Sequence, residues 1–167
     1  YPWNISSKPC TVIDLTRYFG NYESSFVLYD LTNDTWKIHN MELAALRVAP
    51  NSTYKIYNAL FGLENNIITQ ENTFVEWDGT AYPFETWNAD QTLPSAMSSS
   101  VNWYFQWIDE QLGAASIENY LHKIRYGNEN LGDNFSSYWM ESSLKISPIE
   151  QVELLRKLQK NTLMEEM

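Results

Sequence analysis

Cysteine is nearly absent: Cys10 stands alone in 167 residues, so no internal disulfide can form. That neither supports nor excludes an exported protein, because many exported bacterial domains lack disulfides. Basic residues are scarce too, 11 against 21 acidic ones, for a formal net charge of -10. Such a surface repels nucleic acid and anionic lipid, which argues against a phosphate-backbone binder. No apolar run approaches the length of a membrane span, and no signal peptide is visible, so the start at Tyr1 reads as a mature or excised domain. There is no glycine-rich phosphate loop and no dinucleotide fingerprint, so no nucleotide cofactor is expected. His39 and His122 are far apart and lack a ligand pattern, so they read as surface residues and no metal is expected. Cys10 has no histidine pattern to make it a nucleophile.

Apolar residues are abundant. Hydrophobic residues make up 44% and aromatics 15%, enough for one domain, residues 1–167, with a real core. "VIDLTRYFG" (12–20) reads as a short helix closed by Gly20. "SFVLYDL" (25–31) and "TWKIHN" (35–40), joined by a turn, read as a β-hairpin. Residues 52–63 read as a helix with Ile56, Ala59, Leu60 and Leu63 on one stripe. Residues 65–100 read as loops around short helical turns, with "YPFETWNADQ" (82–91) buried. Helices are expected at 101–112 and 116–124, the second capped by Ser116. The best-marked helix is 147–159: Ser147 caps it, Pro148 occupies the first turn and Glu150 completes a capping box. The tryptophans at 77, 87, 103, 107 and 139 are expected to pack the core rather than stack on sugars. Acidic residues such as Glu153, Glu165 and Glu166 read as solvated surface.

Within "RVAPNSTYKIYNALFGLE" (47–64), Ser52 and Lys55 fall three apart at a helix start. That spacing places their Cβ atoms roughly 5–6 Å apart on one face. Two readings compete. In one, Ser52 is a helix cap and Lys55 is solvated. In the other, Lys55 is a base for a Ser52 nucleophile, which needs one because serine alone attacks weakly. Burial of Lys55 against neighbours such as Ile56 and Tyr57 would lower its pKa, and the Ser52 N–H could hold an oxyanion. Three further stretches carry the same ambiguity. Ser100-Val101-Asn102 can be capping, Tyr126-Gly127-Asn128 a helix end, and Trp139 in "YWMESSLKISPIEQVELL" a core residue.

Taken in this order and at these gaps, the motifs resemble the penicillin-recognising serine acyl-transferases. Within them the chain is most similar to the class D β-lactamase branch and to the extracellular sensor domain of the BlaR/MecR β-lactam receptors. The resemblance rests on "YFGNYESSFVLYD", "APNSTYKIYNALFGLE", "YPFETWNADQTLPSAMSSSVNWYFQ", "YGN" and "YWMESSLKISPIEQVELL", from about residue 18 to 155. It implies an α+β, penicillin-binding or β-lactamase-like fold: mostly the helical subdomain plus an N-terminal β-hairpin. It implies Ser52 as the acylated nucleophile, Lys55 as its base, N-carboxylated by CO2, and Ser100 as a proton relay to the lactam nitrogen. Trp139 would steady the lysine carbamate through its indole N–H, and Tyr126, Gly127 and Asn128 would form a third wall. Asn102 stands where the class D enzymes carry an apolar residue and the sensors carry asparagine. An amide there favours loss of CO2 after acylation, and so a persistent acyl-enzyme without efficient turnover.

The implied partners are β-lactams and the remainder of a membrane-anchored receptor at the extracytoplasmic face of a bacterial membrane, with no nucleic acid. The other readings left open are a class D β-lactamase and, third, a transpeptidase acting on D-Ala-D-Ala peptides. The family's Lys-Thr-Gly or Lys-Ser-Gly strand is absent from this sequence. With it would go the middle strands of the sheet, half the oxyanion hole and the contacts to the lactam carboxylate, so activity of this stretch alone is in doubt. A lone hairpin of residues 25–40 would also leave an open edge and an uncovered face, with self-association or marginal stability expected.

Overall fold

In the computed structural model, which describes residues 9–164, the chain is mixed helix and sheet and divides into two compact units. The first gathers the segment up to Val48, residues 122–129 and the segment from Lys145 onward; the second gathers Ala49–Leu121 and Asn130–Leu144. Tyr1, Glu165 and Glu166 lie outside the described residues.

The first unit is built on a sheet of three strands in the order β1-β3-β2. Strands β2 (Phe26–Asp30) and β3 (Thr35–His39) form the expected hairpin, paired from Phe26 with His39 to Asp30 with Thr35. The hairpin is not alone. β1 (Cys10–Val12) runs parallel to β3 and pairs Cys10 with Trp36 and Val12 with Ile38. Residues 10–12 therefore fall in a strand, and the expected 12–20 helix shrinks to α1 (Thr16–Phe19), ending at Gly20 with φ 61°. Nor is the sheet's apolar face bare. Tyr29, Trp36 and Ile38 pack with Ala44 of α2 (Met41–Ala45) and Ile149 of α7 (Pro148–Gln159) in one cluster. Among the described residues the outer edges of β1 and β2 both stay unpaired, the latter beside half-exposed Phe26 and Leu28.

Helix α7 starts where its cap dictates. The Ser147 Oγ accepts from the Glu150 N–H at 3.3 Å, and the Glu150 carboxylate accepts from the Ser147 N–H at 2.9 Å. The same carboxylate, 2% exposed, takes the Arg47 guanidinium at 2.5–3.0 Å, so one buried acid joins the cap to a distant segment. Glu153 is not merely solvated. It pairs with Arg156 at 2.5–2.8 Å, and that guanidinium lies over the Tyr29 ring. Ser147→Ala is expected to lower stability by about 1–2 kcal/mol, read by urea denaturation, because it strands an N–H and loosens Glu150.

The second unit holds α3 (Lys55–Glu64), α4 (Leu93–Ser98), α5 (Asn102–Leu112) and most of α6 (Ala114–Ile124). α6 begins two residues earlier than expected. Gly113, at φ 74°, turns the chain out of α5, so Ser116 is an interior helical residue and not a cap. Phe61 stacks on Tyr120 at 4.5 Å, and Tyr57, Phe61, Tyr104, Phe105 and Ile108 are fully buried. The 82–91 stretch is not buried as expected. Only Gln91 is, while Phe84 is 57% exposed. Of the five tryptophans expected in the core only Trp139 is enclosed. Trp77, Trp87, Trp103 and Trp107 are half-buried, and the first three donate their indole N–H to the carbonyls of Thr80, Ser99 and Trp87.

Candidate active site

Ser52 sits in a 3-10 turn, Asn51–Tyr54, that runs straight into α3. The residues flanking the two helical starts are Pro50 and Tyr54, and neither makes a side-chain cap. Ser52 is thus not a helix cap, and its hydroxyl is available for chemistry. Lys55 follows one turn later and is 1% exposed. Its Nζ lies 3.2 Å from Ser52 Oγ, 2.6 Å from Ser100 Oγ, 2.7 Å from the Ser100 carbonyl and 2.6 Å from Asn102 Oδ1. The Ser100 hydroxyl donates to Ser52 Oγ at 2.9 Å, closing a ring of three polar groups.

The Ser100-Val101-Asn102 turn also refuses the capping role. The residue before α5 is Val101, and no side chain caps that helix. Ser100 instead adopts φ 51°, a left-handed backbone that turns both its hydroxyl and its carbonyl to Lys55. Non-glycine residues adopt this region at a cost, and such strain gathers at functional sites. Asn102 presents its oxygen to the lysine while its Nδ2 lies 3.1 Å from Met140 Sδ.

Burial pulls the Lys55 ammonium down to about 8 from its usual value near 10.5. At neutral pH roughly a tenth of the lysine is then a free amine. The chemistry of that change is favourable. An ammonium has three N–H groups and no acceptor, whereas the amine has a lone pair that can take the Ser52 proton. The Phe105 and Trp139 rings each lie 5.5 Å from Nζ and exclude water from this side. Beside Ser52 opens a cavity of about 370 Å³, walled by Phe84, Trp87, Ser99, Ser100 and Asn102.

The Trp139 indole N–H donates to Asp109 Oδ2 at 3.1 Å, and the ring turns its face to Lys55. Asp109 escaped the reading of the sequence. The available signal was its spacing: it falls four residues after Phe105 and three before Leu112, a lone acid on the apolar stripe of α5. The Phe84–Trp87 wall was also missed, because aromatics in an irregular segment leave no periodic trace.

Tyr126, Gly127 and Asn128 lie in the first unit. Tyr126 is fully buried there. The Asn128 N–H donates to the Lys145 carbonyl at 2.9 Å, and the Lys145 N–H donates to Asn128 Oδ1 at 2.8 Å. The next residue along, Ile146, exchanges two backbone bonds with Val48. Gly127, at φ 54°, lets the two backbones meet, since a Cβ there would stand 1.8 Å from the Lys145 oxygen.

Residues 29–166 match the penicillin binding protein transpeptidase domain. The chain belongs to the penicillin-binding transpeptidase family. Within it, the chain is 46% identical over 141 residues to the regulatory protein BlaR1 of Staphylococcus aureus, spanning 84% of this chain and 24% of that protein. It is 42% identical over 163 residues to the methicillin resistance mecR1 protein of Staphylococcus epidermidis, spanning 98% of this chain and 27% of that protein. Among solved structures it superposes on the C-terminal domain of the Bacillus licheniformis BlaR penicillin-receptor with TM-score 0.89 and 41% identity, covering 93% of this chain and 64% of that one. A class D β-lactamase from Bacillus subtilis gives TM-score 0.85 and 36% identity, covering 95% of this chain and 65% of that one. The penicillin-binding, class D type fold implied by the motifs is therefore the fold of this chain. The chain spans about a quarter of the length of these curated regulatory relatives.

Proposed function

We propose that this chain is the ligand-capturing part of a β-lactam sensor, acylated at Ser52 and reporting through a membrane receptor at the extracytoplasmic face. In the reaction Ser52 Oγ bonds to the lactam carbonyl carbon and the ring C–N bond breaks. The Ser52 proton passes to Lys55 and, through the Ser100 hydroxyl, to the departing nitrogen. The Ser52 N–H holds the oxyanion. Lys55 is carboxylated by CO2 in the resting protein, which requires the amine form that burial promotes.

The observation that carries this reading over hydrolysis is Asn102 Oδ1 at 2.6 Å from Lys55 Nζ. That contact stabilises the lysine as an N–H donor and competes with a carbamate. Once Ser52 is acylated and the carbamate is lost, no strong base remains to activate water, and the adduct lasts. The relatives named as regulatory proteins, and the one titled a penicillin-receptor, favour the same reading. A class D hydrolase shares the first step and is the alternative, favoured by the superposition on such an enzyme.

A chromogenic cephalosporin separates the two. The intact parent protein is expected to release about one equivalent of product in a burst and then stop. Turnover continuing over many equivalents would overturn the sensor reading in favour of the hydrolase.

A further inference from the structure

Helix α5 carries a second stripe that neither the core nor the Ser52 site uses. Tyr104, Phe105, Ile108, Asp109 and Leu112 are its buried residues. Trp103, Trp107 and Glu110 fall at helical spacing on the opposite side, the two tryptophans half-buried and the acid exposed. Aromatics grouped on the side of a helix that faces away from the core mark a contact surface.

That side of α5 lines a cavity of about 550 Å³, and Glu76, Asp78 and Tyr82 of the preceding loop line it too. All six residues belong to the second unit. The walls are tied down without any ligand. Val75 exchanges two backbone bonds with Gln91 at 2.8 and 3.0 Å. The Trp77 backbone N–H donates to Asp90 Oδ1, and its indole N–H donates to the Thr80 carbonyl. Asn88 holds the Tyr82 backbone twice, accepting from its N–H at 2.7 Å and donating to its carbonyl at 3.0 Å. On the helix, Trp103 is fixed by its indole bond to the Trp87 carbonyl at 2.8 Å. The cavity shares no lining residue with the one beside Ser52.

Its chemistry is one-sided. Three carboxylates and three aromatic rings line it, with no lysine, arginine or histidine. None of Glu76, Asp78 and Glu110 forms an ion pair among the described residues. Burial and the Asp78 charge together push the Tyr82 hydroxyl up, which puts a carboxylate near a ring. Unpaired acids set among aromatic rings suit an organic cation, drawn by charge and by the ring faces. The acids do not converge on a point: among the described residues no group of three such side chains could hold a metal ion. A cation that answers all three must therefore be extended.

We infer that this cavity binds an aliphatic polyamine, a chain bearing two or more protonated amines. Its ammonium groups meet the carboxylates of Glu76, Asp78 and Glu110, and its methylene spacers lie along Trp103, Trp107 and Tyr82. The same chemistry is offered by a free polyamine and by neighbouring lysine side chains of a peptide. The inference stands apart from the acylation reading, since no group that acts on Ser52 takes part.

Isothermal titration calorimetry of the whole chain at low salt, where exposed charges are least screened, tests it with spermidine and trilysine as probes. At least one should bind at one equivalent, and the tighter one names the source. Glu110→Gln and Asp78→Asn should each weaken binding about fivefold, the scale of an exposed charge contact. Both changes spare the fold, because Glu110 is exposed and an amide at 78 still accepts from the Thr80 N–H. Trp107→Leu should weaken it by a similar factor; if that variant does not fold, the two acid variants decide alone. Glu118→Gln, which removes an exposed acid of α6 outside the cavity, should leave binding unchanged. No saturable heat from either amine overturns the inference. So does an equal loss in Glu118→Gln, which would show diffuse attraction to an acidic chain, and so does tighter binding of neutral chitotriose, which would make the cavity a sugar site.

Discussion

Lys55→Met is expected to slow acylation of Ser52 by about 10²–10⁴, the usual contribution of a positioned base. The substitution suits the site because methionine is unbranched and apolar, and the lysine is enclosed by Phe105 and Trp139. The fold should survive, since an uncharged chain replaces a charge that burial already disfavours. The pH dependence gives the sharper signature. With the wild-type lysine held at about 8, its amine form grows about tenfold from pH 6 to 7 and saturates above pH 9. The second-order rate constant for acylation, followed by mass spectrometry of the adduct, should rise along that curve, because CO2 adds only to the amine and the group so formed on Lys55 takes the Ser52 proton, and the variant should lose the rise through pH 8. A wild-type rate flat between pH 6 and 9 would remove Lys55 from the role of base.

The second large effect concerns folding rather than chemistry. Gly127→Ala is expected to cost about 4 kcal/mol or more and to leave little soluble protein. An alanine Cβ would stand 1.8 Å from the Lys145 carbonyl oxygen, and φ is 54°. The left-handed backbone alone costs about 1–2 kcal/mol. The obstacle is main chain and cannot rotate aside, so the paired hydrogen bonds between Asn128 and Lys145 must break as well. Gly20→Ala is the control. Its φ is 61° but nothing lies within 4 Å, so it should cost only the backbone strain. Urea denaturation of the two variants side by side tests the difference, and equal midpoints would show that the close approach at Gly127 is unimportant.

The elements that the sequence reveals are those whose cause is local. The α7 cap is written in Ser147, Pro148 and Glu150, which bond to one another across a single turn. The hairpin follows from two apolar runs and a short turn, and Ser52 with Lys55 follows from helical spacing. What stays hidden depends on partners far along the chain. β1 is three residues long and exists through its pairing with β3. The start of α6 depends on a positive φ at Gly113, and the exposure of Phe84 depends on how the 82–91 loop is draped. The site divides the same way. Composition gives no hint that the Trp139 N–H turns to Asp109, because two positions thirty residues apart must be brought together before that competition exists.

The left-handed turn at Ser100 has an evolutionary corollary. Glycine alone adopts that backbone freely, so selection for heat tolerance would favour Ser100→Gly, and with it the loss of the hydroxyl that touches both Ser52 and Lys55. Robustness and the proposed acylation thus compete at one codon, and a library screened only for survival on heating should drift toward chains that have lost that hydroxyl.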